Sequence, residues 1–457
     1  MDLQGRKMLV IGAGISGFAA AKLARKMGAE VVLSDAKAEK DIKQDFTELR
    51  SVGVQLAFGP QSEELLEGVD VVLVSPAVPV RIPIIQQAVQ RGIPVMSEVE
   101  MAYRLAKSPI CAVTGTNGKT TTVTLLGLLL ETGFDKVGVG GNIGIPLSEQ
   151  ALEIGEGGCL AAEISSYQME ATKAFRPHVS AVLNVTPDHI VRHGSMEVYQ
   201  QMKERIFAEE TMEDFLVLNY DDERVRSMKE RANCRVCYFS RKEALEEGAF
   251  LAGDMLTIAW EGKRYPLCTT GELGIKGSHN VENALAAAMT AFLAGAVPEK
   301  MTEVLKSFRG VEHRIEYVCD VNGVPYYNDS KATNTDSAIK ALETFPKNII
   351  LIAGGDDKLT DLADFMALAK ERADALILLG DAAERFHAAA VKAGISEGNI
   401  YEVGYSMEKA VEKAYELAKA PQVVLLSPAC ASFDMYDGFE ERGRDFKRIA
   451  RSLIGRA

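Results

Sequence analysis

Apolar positions along this chain fall into two rhythms. Short unbroken runs such as KMLVI, VVLSD and VDVVLV are separated by stretches in which apolar residues return every three or four positions, as in ISGFAAAKLARK and PIIQQAVQ. Unbroken runs of this length predict strands buried on both faces, and the longer rhythm predicts amphipathic helices, so the pattern is one of βαβ units. Residues 7–35 read as strand, tight turn, helix and strand, a Rossmann-like opening that strands at 69–78 and 93–98 extend. A second series starts at Ile110 with ICAVTG, CLAAEISS, SAVLNVTPDH and FLVLNYDD, and a third follows with VPYYNDSK, NIILIAGGDDK, ALILLGD and VVLLSPACASF. Between them SFRGVEHRIEYV passes from helix to strand through Gly310, a natural junction.

Composition agrees with several cores. At 457 residues and 47% hydrophobic, the chain exceeds what one core holds. A formal net charge of −13 argues against nucleic acid, whose binders present a basic face. No apolar stretch reaches the roughly 18 residues that span a bilayer, and the opening MDLQGRKMLVIGAG runs into a glycine turn without a signal-type apolar region. The expectation is a cytoplasmic protein with no membrane insertion. Of the seven cysteines only Cys234 and Cys237 are closely spaced; CRVC could be half a metal site or a redox pair, but it sits in strand-like sequence with no second pair and reads as ordinary strand.

The expected class is therefore α/β with three domains, each a predominantly parallel sheet with flanking helices. A Rossmann-like domain is expected at 1–97, a P-loop ATPase-like domain at 98–310 and a Rossmann-like domain at 311–457.

Chemistry should gather beyond the carboxyl ends of such strands. AVTGTNGKTTT at 112–122 joins a strand to a helix through Gly115, Thr116, Asn117, Gly118, Lys119, Thr120 and Thr121. Its glycines let backbone N–H groups approach phosphate, Lys119 can reach terminal phosphates and Thr120 can ligate magnesium. Val113 stands where the strict GxxxxGK[ST] pattern has its first glycine, so this is a shorter version of that loop. Glu163, Ser165, Ser166, Asp188 and His189 end neighbouring strands and are expected in the same crevice. Glu163 could serve a magnesium ion, although a strand-end carboxylate is as readily a capping residue. Asn280 and Asn283 in HNVEN face one way on a helix, where they could hold a base or phosphate, and Asn280 reads equally as an N-cap.

A second glycine turn, GAGISG at 12–17 with Asp35 beyond, is a pyrophosphate fingerprint that NAD, FAD or any nucleotide diphosphate would satisfy. In the third series Asp329, Ser330, Lys331, Thr333 and Asn334, then Asp356, Asp357 and Lys358, then 427–433 form strand-end clusters whose lysines and hydroxyls suit a carboxylate-bearing ligand. Lys203, on YQQMKERI, reads as an exposed helix residue.

Taken together, TGTNGKTTT, GGNIG, EISSYQ, NVTPDH, HNVEN, EHR, DSKATN and SPACASFD resemble the Mur ligases, in motif order along essentially the whole chain. The resemblance is strongest to members that join D-glutamate to UDP-N-acetylmuramoyl-L-alanine through an acyl phosphate, and it implies those two substrates, ATP and two magnesium ions, no redox cofactor, and a monomer. It implies that Gly14, Ile15, Ser16, Asp35 and Ser75 contact the uridine diphosphate end, with Asn142 and Ser165 towards the sugar. The loop residues 115–121 with Asn280, Asn283, Arg314 and Asp329 would bind ATP. Thr120, Glu163, His189 and a carbamylated Lys203 would serve the metals, and Lys119, Asn142, His189 and Lys203 the catalysis. Lys331, Thr333, Lys358, Ser427 and Phe433 would surround D-glutamate. Two departures are Val191, where members often carry an acid, and the AKAEK segment after Asp35. The folylpolyglutamate synthases are similar over the central part only, and the first glycine turn would also fit a nicotinamide-dependent dehydrogenase.

Overall fold

A computed structural model describes residues 1–42, 44–188 and 190–456. His189 therefore lies outside the described residues, as does the side chain of Val191. Among the described residues the strands form three sheets of five, nine and six. The first contains β1 (Lys7–Ile11), β2 (Glu30–Asp35), β3 (Gln55–Phe58), β4 (Val71–Val74) and β5 (Val95–Ser97), in the order β3-β2-β1-β4-β5. All its pairings are parallel. Alternate residues feed separate cores: Met8 and Val10 join one cluster, Leu9 and Ile11 the other. That is why the sequence shows no polar face here.

The second sheet holds β6 (Ile110–Thr114), β7 (Val137–Gly141), β8 (Cys159–Glu163), β9 (Val179–Val182), β10 (Phe215–Asn219), β11 (Arg235–Ser240), β12 (Gly248–Ala252), β13 (Met255–Trp260) and β14 (Lys263–Thr269). Its order is β14-β13-β12-β11-β10-β9-β6-β8-β7. β7 through β12 pair in parallel around β6, but β13 and β14 are antiparallel additions at one edge. The third sheet, β15 (Glu316–Val321), β16 (Val324–Asn328), β17 (Ile349–Gly354), β18 (Ala373–Leu379), β19 (Ile400–Glu402) and β20 (Val423–Leu426), runs β15-β16-β20-β17-β18-β19. Only its edge pair β15 and β16 is antiparallel. The expected α/β class, with three mostly parallel sheets flanked by helices, is what the chain adopts.

The chain divides into two compact units, residues 1–273 with 281–307, and 274–280 with 308–457. The first unit carries both the first and the second sheet. Ser97, at the end of β5, bonds Thr172 through paired hydroxyls at 2.6 Å, and the buried Glu98 carboxylate accepts from the Ser148 N–H at 2.6 Å. Glu100, also buried, accepts from the N–H groups of Lys173 and Ala174. Three polar residues at the seam thus draw part of their hydrogen bonding from segments of the second sheet's layer. No helix among the described residues is long and apolar enough to cross a membrane.

Candidate active site

β6 is buried at every position, and the helix Lys119–Leu130 that follows it is apolar nearly all round, so the intervening turn is clamped at both ends. Gly118 caps that helix with φ +84°, and a Cβ there would meet the Asn283 carboxamide oxygen at 2.3 Å. Asn283 therefore packs directly against the turn. The carboxamide of Asn184, two residues beyond β9, accepts from the Thr116 and Asn117 N–H groups at 3.0 and 2.8 Å and donates to the Asn117 carbonyl at 3.1 Å. Thr116 also joins its hydroxyl to Tyr199 at 3.2 Å and to the Thr186 carbonyl at 3.1 Å. With these bonds made, the turn is fixed before any ligand arrives. Lys119 folds its amine over it, donating to the Gly115 and Thr116 carbonyls at 2.8 Å.

Beside the turn, Glu163 ends β8, the strand next to β6. Its side chain is enclosed; Oε1 accepts from Asn142 Nδ2 at 3.0 Å, and Oε2 finds no hydrogen-bond partner among the described residues. An enclosed carboxylate oxygen left unbonded costs about 1–3 kcal/mol. A hard cation is the group such an oxygen suits, since magnesium needs only one or two carboxylates besides phosphate and water. With Thr120 in the helix's first turn, the residues present fit that ion.

Lys203 overturns the exposed-helix reading. On the helix Met196–Glu204 it lies four residues after Tyr199, on the same inward face, and is 2% exposed. Its amine donates to the Gly115 carbonyl at 2.7 Å and sits 4.5 Å from the Tyr199 ring centre. Burial and then the neighbouring Lys119 charge hold the amine well below its ordinary pKa, against the pull of Asp188 and Glu163.

The first glycine turn is built by backbone crowding. A Cβ on Gly17 would stand 1.8 Å from the Gly12 carbonyl oxygen, and one on Gly12, where φ is +101°, 2.7 Å from the Ser75 Cβ. Only glycine permits so close an approach of helix to strand. Asp35 accepts from the Ala13 N–H at 2.9 Å and the Lys37 N–H at 3.0 Å, so it orders both turns at the strand ends. Gly14 and Ile15 are exposed above the turn, Ser16 half-buried and Ser75 buried. Ser165 caps the short helix Ser166–Met169 in a capping box with Gln168.

In the second unit, β16, β20 and β17 are neighbours, and their trailing loops bring Asp329, Ser427 and 355–358 together. Ser427 donates to Asp329 at 2.8 Å, both fully enclosed. Burial pushes Asp329 up to about 7, opposed by the charge of Arg314 and by its hydrogen bonds to Ser427 and the Ile315 N–H. Lys331 is half-buried with its amine 5.7 Å from the Phe439 ring centre, and Thr333 donates its N–H to the Lys331 carbonyl. Lys358 is exposed and Phe433 is 71% exposed, so those two stand outside the enclosed group. Asn280 is not an N-cap: it lies inside the helix Ser278–Ala294, and its side chain donates to the Lys276 carbonyl at 2.7 Å.

Four residues that hold these loops were not singled out from sequence. Asn184 had the same strand-end position that drew attention to Glu163. Tyr199 carried the four-residue spacing to Lys203. Arg192 braces a turn after β4, and Arg442, 1% exposed within a highly charged helix, donates to Ser330 and to the Cys430 and Ala431 carbonyls beneath the loops of the third sheet. Nothing in FEERGRDF announces a buried arginine. Of the CRVC pair only Cys237 lies within β11; Cys234 precedes it and donates to Glu210 at 3.1 Å, and both thiols are buried and outside any disulfide.

Three sheets with crevice chemistry at their strand ends, one of them bearing a phosphate turn, correspond to three domain types of one enzyme class. The Mur ligase MurD-like N-terminal domain matches residues 6–97, the Mur ligase middle domain 113–291, and the Mur ligase glutamate ligase domain 313–430. The chain belongs to the Mur ligase family, and like its members it is an ATP-dependent ligase. Among its curated relatives, the UDP-N-acetylmuramoylalanine--D-glutamate ligase of Thermoanaerobacter pseudethanolicus is 45% identical, covering 99% of this chain and 100% of the relative. The protein of the same description from Clostridioides difficile is 40% identical over 99% of this chain and 100% of its own. Solved structures share the fold: a pseudomurein peptide ligase type C from Methanothermus fervidus (TM-score 0.60, 20% identity, 97% of this chain and 99% of that one) and MurF from Acinetobacter baumannii (TM-score 0.60, 16% identity, 96% and 93%).

Proposed function

We propose that this chain joins D-glutamate to UDP-N-acetylmuramoyl-L-alanine, consuming ATP and releasing ADP and phosphate, as a cytoplasmic step of peptidoglycan precursor synthesis. The observation that carries the reading is full-length likeness to relatives bearing that description, at 45% identity over 99% of the chain. The enclosed phosphate turn beside Glu163 supplies a physical basis for the ATP half of the reaction.

Carboxylate and amine at neutral pH form only a salt, so the acid must be activated. The L-alanyl carboxylate attacks the γ-phosphorus of ATP, the bond to the β-phosphate oxygen breaks, and ADP leaves an acyl phosphate behind. The D-glutamate amine then attacks the acyl carbon, phosphate departs with the bonding pair, the amine proton is lost, and an amide remains. Phosphoryl transfer depends on charge neutralisation more than on covalent help. Lys119 would exchange its two carbonyl acceptors for phosphate oxygens, within a turn formed by Gly115, Thr116, Asn117 and Gly118 and the helix start at Thr120 and Thr121. Magnesium, held by Glu163 and Thr120, would screen the phosphate charge; a second ion would call on His189 and a carbamylated Lys203. The depressed Lys203 amine supports that modification, because the neutral amine is the form that adds carbon dioxide.

In this reading Gly14, Ile15, Ser16, Asp35 and Ser75 receive the uridine diphosphate end, Asn142 and Ser165 face the sugar side, and Asn280, Asn283, Arg314 and Asp329 hold the adenine nucleotide. Lys331, Thr333, Lys358, Ser427 and Phe433 receive D-glutamate. Domain limits of 1–97, 98–310 and 311–457 fit these assignments, and in this reading the chain works as a monomer. The test is a phosphate-release assay with an amino-acid panel. Release should require both UDP-N-acetylmuramoyl-L-alanine and D-glutamate, and equal release with L-lysine or diaminopimelate would overturn the specificity.

A further inference from the structure

Ser75, Pro76, Ala77 and Val78 make the turn that follows β4 beside the first glycine cradle, closed by the Val78 N–H donating to the Ser75 carbonyl at 2.9 Å. One side chain of the second sheet's loops grips this turn. The Arg192 guanidinium donates to the carbonyls of Ala77, Pro76 and Val78 at 3.2, 3.2 and 3.3 Å. It also makes a two-pronged pair with Glu170, at 2.8 and 2.7 Å, and lies 4.3 Å from the centre of the Tyr167 ring. Both side chains of the pair are largely enclosed, at 14% and 12% exposure.

The anchor continues to the phosphate turn. His193 lies 4.0 Å from Glu170 through Nδ1, bonds Ser166 through Nε2 at 3.0 Å, and packs its ring, tilted, 5.5 Å from the Tyr199 ring. Tyr199 in turn bonds the Thr116 hydroxyl of the phosphate turn at 3.2 Å. An arginine fork is the side chain suited to this place, since it meets a carboxylate with two parallel bonds while keeping donors for carbonyls and a flat face for the ring.

We infer that Arg192 is a positioning residue: through Glu170 it fixes the turn 75–78 of the sugar-nucleotide cradle relative to the phosphate turn, so that the acid to be activated reaches the γ-phosphate in line. The inference rests on the proposed reaction. It assigns Arg192 no contact with substrate; the residue acts on placement. Misplacement of reacting atoms by an ångström costs up to ~100-fold in rate without any loss of binding contacts.

Full-length Arg192→Ala and Arg192→Lys are compared with the native chain in three measurements: UDP affinity by calorimetry, kcat for phosphate release with all substrates saturating, and Tm. Lysine keeps the charge but cannot make the fork. The expected result is a kcat lowered ~10- to 100-fold in the alanine variant and by an intermediate factor in the lysine variant, with UDP affinity within about twofold of native. Where the alanine variant melts too low to assay, the lysine variant reads the same split. A native kcat in both variants overturns the inference, and so does a UDP affinity that falls in parallel with kcat, because Arg192 then only shapes the turn. A native chain that binds no UDP overturns the reading of the first cradle and this inference with it, whereas a working native chain with unaffected variants overturns this inference alone.

Discussion

Asn184→Ala removes one carboxamide and three hydrogen bonds: two accepted from Thr116 and Asn117 and one donated to the Asn117 carbonyl. Each is worth about 0.5–1.5 kcal/mol net, so the three sum to roughly 1.5–4.5 kcal/mol. Asn184 is half-buried, and the Thr116 N–H retains the Asn184 main-chain carbonyl at 3.0 Å, so the lower part of that range applies, about 2 kcal/mol. The loss falls on the ligand-facing turn rather than on an apolar core, so it should appear where nucleotide binding must order that turn. At 1.4 kcal/mol per factor of ten, KM for ATP should rise about 30-fold, with KM for the sugar nucleotide unchanged. Asn184→Asp keeps the acceptor but sets an anion against the Asn117 carbonyl and the incoming phosphates, and should be worse for ATP than alanine. Initial rates of phosphate release over a range of ATP concentrations give both constants, with Tm as a control. A KM for ATP within threefold of native in Asn184→Ala, or an equal rise for every substrate, would refute the reasoning.

Three further expectations follow from single contacts. Glu163→Gln replaces the unbonded Oε2 with an amide and should raise the magnesium concentration for half-maximal rate at least tenfold while leaving Tm equal or higher, since a buried charge is removed; an unchanged magnesium titration would sink the assignment. Asp329, raised by burial from 3.8 to about 7, keeps in the folded chain a proton that the unfolded chain releases. That contribution to stability is full below about pH 4 and is lost as pH rises towards 7; Asp329→Asn should flatten the slope, so its Tm should gain on native between pH 5 and 8, and parallel Tm profiles would exclude Asp329 as the cause. Gly17→Ala puts a methyl 1.8 Å from the Gly12 carbonyl oxygen, which must push the helix Ile15–Lys26 off β1: UDP binding should be lost and Tm should fall, and calorimetry showing native UDP affinity would contradict the close-packing account.

How much of this was legible in the sequence differs by layer. Buried parallel strands declare themselves, because both faces are apolar and the run is unbroken, so β1, β4, β6, β8, β17 and β20 were readable from the pattern of apolar residues alone. The edge strand β14 was not, since its half-exposed KRYPLCT mixes polar residues into the run and weakens the signal. Glycine turns and strand-end polar groups were equally plain, because steric freedom and phosphate chemistry restrict the residues that can stand there. Residues that act from beneath were not. Lys203 and Arg442 sit in helices whose composition suits solvent, and only the packing against Tyr199 or the loops of the third sheet makes them interior. Burial of a cation is a tertiary fact, decided by partners far along the chain.

The Lys119 amine gives the phosphate turn an economy of its own. Already satisfied by two main-chain oxygens of the same turn, it is never a bare cation waiting for an anion. Swapping those oxygens for a nucleotide's gains only the difference between two good arrangements, so the grip is moderate by construction. A catalyst that must discharge spent ADP every cycle is served by such a latch, which springs back onto its own loop as the product departs.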